Sequence, residues 1–480
     1  MRRTLEVVRT AKKYDRATGE FRVDIRYRSR AMLTERTAAV AEAFGLGLDG
    51  EREHVVYDDL RLKMGPGDVV YISGESGSGK SVFLRALERD LGGEAANIDG
   101  VEVDPDRPVI DTVGGTFRDG LRLLSAVGLN DAYLLLRRYP EFSDGQRYRY
   151  RLARLMERPE RFWLADEFCS TLDRTTARVV AFNVQKQARR LGRCLIAATC
   201  HTDLGEDLAP SVHVRKGFGS RLEVDYTPDA SASACSVARE VTIEPGTPAD
   251  YRSLAEFHYR SGRLPPPVAI FAMRRGRELV GVVVYSYPGI NCFGRSLAMG
   301  RRVPVEELNR EWAVISRVIL RPRYRSMGLG HRLVRETLPR VERRYVEAVA
   351  VMALYNPFFE RAGMEKITET APDDSIVEAV EGLRRLGFNP VTLASESANF
   401  DRLKRMTVGE MEAVREVLLS ISSGYYKRLV SSRHPYVKKR EFLSRLQEAS
   451  HEQVARMLKT VAVLNQVKAY LFWRAPEGEG

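Results

Sequence analysis

Gly74-Glu75-Ser76-Gly77-Ser78-Gly79-Lys80-Ser81 follows the apolar run Val69-Val70-Tyr71-Ile72 and leads into Val82-Phe83-Leu84. The spacing GxxxxGK[ST], set between a strand and a helix, is the arrangement that cradles phosphates. Gly74, Gly77 and Gly79 let backbone N–H groups, Ser78 included, turn inward. Lys80 brings a positive charge to the β- and γ-phosphates, and Ser81 can place a hydroxyl on Mg²⁺. The chain is therefore expected to bind a nucleoside triphosphate, on an α/β fold.

Four further segments follow in order. They are Phe142-Ser143-Asp144-Gly145-Gln146, the strand end Arg161-Phe162-Trp163-Leu164-Ala165-Asp166-Glu167, Ser170-Thr171-Leu172-Asp173, and His201 after the apolar run Cys194 to Cys200. Together with the phosphate loop, this order resembles the ABC ATPases. The resemblance implies that Ser143, Gly145 and Gln146 bind the γ-phosphate of an ATP held by a second subunit, giving a homodimer. It also implies that Asp166 holds Mg²⁺, Glu167 polarises the attacking water, and His201 is the switch histidine. Two features depart from the family. No glutamine lies between Val82 and Phe142, so the Q-loop residue is missing, and Asp111, after Pro108-Val109-Ile110, is a candidate substitute. Ser143 follows Lys80 by 63 positions, which leaves a short helical subdomain and disfavours the membrane-partner grip of transporter members.

Composition fits a cytoplasmic, reduced setting: there is no apolar run of about 18 residues and no signal-peptide pattern. The five cysteines are scattered without metal-ligand spacing. At 480 residues, 44% of them hydrophobic, the chain is too long for one core. Its net charge of +12 favours an anionic partner without choosing between nucleic acid and nucleotide.

Small residues at Thr227 to Ala234 mark a linker, giving expected boundaries at 1–225, linker 226–239, and a second domain over 240–368. Ahead of the linker, 4–8 and 21–27 read as a hairpin and 32–44 as a helix, with Phe44 or Tyr57 either stacking on the base or filling the core. In the second domain the alternating strand Trp312 to Leu320 runs into Arg325-Ser326-Met327-Gly328-Leu329-Gly330, and Asn356-Pro357-Phe358-Phe359 follows another strand. RxxGxG at a helix start resembles the pyrophosphate loop of the GNAT acetyltransferases. The resemblance implies acetyl-CoA held at Arg325, Gly328, Leu329, Gly330 and Asn356. The GNAT leaving-group tyrosine position is Phe359 here, which leaves Tyr355 as acid or core residue. Glu311 is either general base or surface carboxylate. ABC-type ATPase and GNAT-like domain in one chain resemble a fused family whose acceptor the sequence does not name.

Residues 369–467 read as a helical insertion, and 468–480 as a closing strand and tail. Within the insertion, Tyr425-Tyr426-Lys427-Arg428 and Arg433 to Arg440 interleave basic and aromatic residues, which either bind RNA or are solvated helix ends. Three functions stay open: ATP-coupled acetylation of a large anionic acceptor such as RNA, a nucleic-acid or ribosome-associated mechanical ATPase with a degenerate acetyl-CoA domain, and protein acetylation regulated by ATP.

Overall fold

The computed structural model describes residues 5–30, 32–47, 52–258, 264–432 and 436–476. The chain forms two compact units. One comprises Met1–Arg263, Ile270–Val283 and Arg317–Leu333; the other comprises Leu264–Ala269, Val284–Ser316 and Val334–Gly480. Residues 240–368 contribute to both.

In the first unit, β1 (Leu5–Asp15), β2 (Glu20–Ser29) and β3 (Arg52–Lys63) make an antiparallel sheet in chain order. Alternation puts Phe21, Val23 and Ile25 on one face, where they bury with Phe83, Leu84 and Leu87 of the helix Lys80–Leu91. The expected hairpin is therefore real but carries a third strand. The helix expected at 32–44 is the shorter Glu35–Ala43, capped by Thr34.

A six-stranded sheet follows: β4 (Val69–Gly74), β5 (Ala95–Asn97), β6 (Phe162–Ala165), β7 (Cys194–Thr199), β8 (Val212–Lys216) and β9 (Leu222–Tyr226). Its order is β5-β6-β7-β4-β8-β9, all parallel except β9, which runs antiparallel to β8. Its central strands β4, β6 and β7 are covered on both faces and are continuous apolar runs. Tyr71, Trp163 and Leu195 pack with Leu152, Val180 and Val184 of two helices, Asp144–Leu155 and Arg174–Arg190. Ile72, Phe162 and Ile196 face the Lys80–Leu91 helix and the antiparallel sheet.

The remaining strands are β10 (Val241–Pro245), β11 (Pro267–Arg275), β12 (Glu278–Ser286), β13 (Trp312–Leu320), β14 (Tyr345–Ala350), β15 (Glu365–Thr370) and β16 (Lys468–Arg474), in sheet order β10-β11-β12-β13-β14-β16-β15. β13 and β14 are parallel over three residue pairs, Trp312↔Tyr345 to Val314↔Glu347. β16 runs antiparallel to both its neighbours. In the second unit, the described residues between β15 and β16 are mostly helical and have their own core around Leu383, Val414, Leu418, Phe442 and Leu458. The helices there include Glu396–Leu403 and Tyr426–Leu429, inside the helical insertion expected over 369–467. Among the described residues, no helix is long and apolar enough to cross a membrane.

Candidate functional site

The sheet order puts β4 between β7 and β8, and Tyr71 and Ala165 both pair with Ala197. The C-terminal ends of β4, β6 and β7 therefore lie at one edge, where parallel α/β sheets bind ligands. The phosphate loop leaves β4 there and enters the helix Lys80–Leu91. Lys80 Nζ donates to the carbonyls of Gly74 (2.8 Å) and Glu75 (2.7 Å), so the lysine is held across the loop. Gly79 has φ +104° and a Cβ on it would lie 2.5 Å from Val56 Cγ1; one on Gly74 would lie 2.1 Å from the Lys216 carbonyl oxygen. Only glycine fits at either position.

Tyr57 braces this loop from below and does not stack on a base. It is 2% exposed and its hydroxyl donates to the Gly79 carbonyl at 3.0 Å. Burial raises its phenol pKa. Phe44 remains exposed beyond the Glu35–Ala43 helix.

Asp166 and Glu167 follow β6 directly. Glu167 is exposed and holds φ +47°, a left-handed conformation that costs a non-glycine residue of order 1–3 kcal/mol. Its N–H donates to Asp166 Oδ1 at 2.9 Å, and the next amide, of Phe168, donates to the Ala198 carbonyl at 2.7 Å. The turn is thus pinned to β7, leaving the Glu167 side chain in the open. His201 stands two residues past β7: its N–H reaches Thr199 Oγ1, its carbonyl accepts from the Tyr71 hydroxyl, and its Nε2 is buried without a partner. Ser78 Oγ is likewise buried and unpartnered. Two orphaned polar atoms at this edge, with the glycine cradle, fit a site built for a polyanion. Ser81 and Asp166 supply hard oxygen donors suited to Mg²⁺.

Ser143 caps the helix Asp144–Leu155, and its N–H donates to Gln146 Oε1 at 3.0 Å. That helix start, with Gly145 only half-buried, presents backbone amides outward. Asp173 caps the helix Arg174–Arg190 through Thr176. Asp111, the Q-loop substitute, is exposed at the end of a single turn, Val109–Asp111. Two residues of the signature helix were missed by the sequence reading. Tyr148 Oη accepts the Cys169 amide at 3.1 Å, linking the helix to the turn after Glu167. Arg149 donates from Nε to the Gly145 carbonyl (3.1 Å) and from Nη1 to that of Gly128 (2.9 Å). Its signal was its place one helical turn after the glycine.

The Arg325 to Gly330 loop belongs to the first unit. Gly328 has φ +88° and the helix Leu329–Thr337 starts beside it. The Arg325 guanidinium donates to the carbonyls of Leu320 (3.0 Å) and Asn130 (2.9 Å), with Phe257 at 3.4 Å. Glu311, Tyr355 and Asn356 belong to the second unit. Glu311 ends the helix Val305–Glu311 instead of starting β13, and its carboxylate pairs with Arg310 at 2.7 Å. Tyr355 and Asn356 are exposed, whereas Phe359 is buried against Phe358.

The phosphate loop, the paired acids at one strand end and the capped glycine helix define a P-loop nucleoside triphosphatase. No family model matches the chain. The methionine import ATP-binding protein MetN of Corynebacterium jeikeium is 28% identical over 240 residues, covering 41% of this chain; the chain spans 64% of that protein's length. The cytochrome c biogenesis ATP-binding export protein CcmA of Rhodopseudomonas palustris is 30% identical over 182 residues, 32% of this chain and 88% of that protein. A solved dimeric ATP-binding cassette in a post-hydrolysis state with ADP and Pi aligns over 36% of this chain and 92% of its own, with TM-score 0.30 and 18% identity. The chain belongs to the ATP-binding cassette ATPases.

Proposed function

We propose that this chain hydrolyses ATP as a homodimer in which the Ser143–Gln146 signature of each protomer completes the other's phosphate loop, and that it couples this cycle to acetyl transfer onto a large anionic acceptor, most simply RNA. For the second activity, the supporting observation is the sheet order β10-β11-β12-β13-β14-β16-β15 with its parallel β13/β14 pair and RxxGxG directly after β13. The loop at a helix start, and β16 returning to the sheet after the helical block, are what the GNAT resemblance implies. Acetyl-CoA would supply an activated thioester, held at the amides of Gly328 to Gly330. A mechanical ATPase with a degenerate acetyl-CoA domain is the second reading. It is favoured by buried Phe359 and by Glu311 being tied to Arg310. Radiolabelled acetyl-CoA, ATP, Mg²⁺ and bulk RNA or protein separate the readings. Label in RNA supports the first, label in protein moves the acceptor, and no label with coenzyme A bound leaves the second.

Replacing Gly328 by Leu should weaken coenzyme A binding at least tenfold. The φ of +88° is strained for any side chain, so a leucine there favours turning the loop amides away, and its Cβ, 2.9 Å from His331 Cε1, also displaces that ring. Titration calorimetry giving equal affinities in a folded variant would remove the loop assignment.

For the acceptor, residues 417–440 contain no acid and six Lys or Arg. Arg433, His434 and Pro435 lie outside the described residues. Lys427, Arg428, Lys438, Lys439 and Arg440 are exposed, and Tyr436 is 59% exposed. Tyr426 is core, stacked on Phe442 at 4.1 Å, so Tyr436 is the ring left open for a base. Changing Lys438, Lys439 and Arg440 together to Ala should flatten the log-affinity against log-salt slope for bulk tRNA by about 2–3. Tyr436→Ala should cost roughly 1–3 kcal/mol of binding without moving the melting curve. An unchanged slope would leave the basic run as a solvated surface.

A further inference from the structure

The Arg325 guanidinium spends its donors on backbone carbonyls, one of them 195 positions away in the segment that follows the helix Phe117–Ala126. The contact is reciprocal: Asn130 receives Arg325 on its carbonyl, and its side-chain amide donates to the Pro322 carbonyl at 3.3 Å. Two residues earlier in the same segment, the Gly128 carbonyl accepts from Arg149, whose Nε holds the carbonyl of the signature glycine Gly145. Hydrogen bonds at its two ends and the three-residue backbone stretch Gly128–Asn130 between them thus join the signature glycine to the segment that opens the RxxGxG loop, all inside one compact unit.

A second strand of contacts reaches the same place. The helix Arg174–Arg190 packs on the turn Pro322–Tyr324, and Arg275 Nη1 donates to Thr175 Oγ1 at 3.0 Å. At its cap, burial pushes the Asp173 carboxyl up, but the Thr176 hydrogen bonds and the Arg323 charge outweigh it and hold it below the usual range. Beside the strut lies a cavity of about 230 Å³ lined by Asn130, Gln146, Arg149, Thr176, Pro322 and Arg323. On this side, at Gln146 and Arg149, the signature helix borders that open space.

We propose that Arg325 is a positioning residue for ATP hydrolysis: it clamps the Gly128–Asn130 segment, which through Arg149 sets the signature glycine, so that occupancy of the 325–330 loop and closure of the ATP sandwich bias each other. This rests on the reading that the signature completes a partner's site. Binding linkage is reciprocal, so whatever factor coenzyme A applies to ATP-driven closure, closure applies to the affinity for coenzyme A. Arg325 touches no nucleotide, and its effect falls on turnover, because each protomer's own phosphate loop binds ATP without the strut.

The test is a cycle of Arg149→Met, Arg325→Met and the double variant in the full chain, reading kcat and KM for ATP. Arg325→Met should lower kcat about tenfold with KM within about twofold. The double variant should be no slower than the slower single, because both changes cut one connection. Losses that multiply, or an unchanged kcat for Arg325→Met, overturn the proposal. If Arg325→Met does not fold, Arg325→Lys serves, since an ammonium cannot span three carbonyls; Asn130→Ala, which loses only the Pro322 bond, should show a smaller loss of the same kind. Coenzyme A should change wild-type ATP turnover severalfold and that of Arg325→Met not at all, and coenzyme A that binds without any effect on wild type overturns the linkage. The underlying reading fails separately: Glu167→Gln protein that stays monomeric with bound ATP removes the sandwich, whatever the cycle gives.

Discussion

Glu167→Gln is expected to cut ATP turnover by a factor of about 10² to 10⁴, the worth of a positioned proton acceptor, while ATP binding survives and the closed dimer accumulates. The carboxylate is the exposed side chain at the end of β6, held by a left-handed backbone whose amide is fixed to Asp166. Gln keeps that backbone and nearly the same shape, so binding through Lys80 and the glycine loop is untouched. The amide is no base, so water is no longer polarised and the sandwich has no route to reopen by hydrolysis. Phosphate release and light scattering read the two effects together. Turnover above about a tenth of wild type would take the role from Glu167. A monomer at saturating ATP would refute dimerisation across the signature.

The phosphate loop and the acidic strand end could be read from sequence because their chemistry is local: consecutive amides, a lysine one residue past the last glycine, two acids after four buried apolar residues. A helix was legible to within a few residues where its cap was strong, as at Thr34, where Glu35–Ala43 begins inside the expected 32–44. What was not legible depends on partners far along the chain. Tyr57 looks like any aromatic until Gly79, 22 positions on, is found against its hydroxyl. Arg325 looks like a phosphate ligand because it opens a glycine motif, yet its donors are taken by carbonyls the sequence places elsewhere. The strand expected over Trp312 to Leu320 is observed with those bounds, but Glu311, weighed beside it as a general base, closes the helix Val305–Glu311 that its neighbours Glu306, Glu307 and Leu308 favour. Glu347 was passed over inside an apolar strand. A charge in such a run is the one signal that could have exposed the strongest polar cluster of the second unit.

That cluster carries the last prediction. Glu347 and Arg295 are 1% and 4% exposed and form a two-pronged pair, Nη2 to Oε1 at 2.5 Å and Nε to Oε2 at 3.0 Å. Arg295 also donates to the carbonyls of Gly289 and Ile290 and lies over Trp312, 5.5 Å from the ring centroid. Tyr470 on β16 donates to Glu347 Oε2 at 2.8 Å, and its ring sits where a Cβ on Gly294 would be, 2.4 Å from Tyr470 Cγ. Burial first, and then the Glu347 charge, raise the Cys292 thiol to about 12, so it stays a neutral neighbour. With every charge met, the pair ties the 289–295 loop to β14 and β16, the strands that close the sheet. Glu347→Leu should destabilise the protein by about 3–5 kcal/mol, because it strands a buried guanidinium. Arg295→Met should cost a similar amount by stranding the carboxylate. The double variant Arg295→Met/Glu347→Leu should recover most of the loss, since apolar groups of similar volume replace a desolvated pair. Tyr470→Phe should cost about 1 kcal/mol. Urea unfolding followed by Trp312 fluorescence, with the other two tryptophans replaced, reads all four. A double variant less stable than either single would mean that the ion pair itself, and not the avoidance of an unpaired buried charge, holds β16 in the sheet.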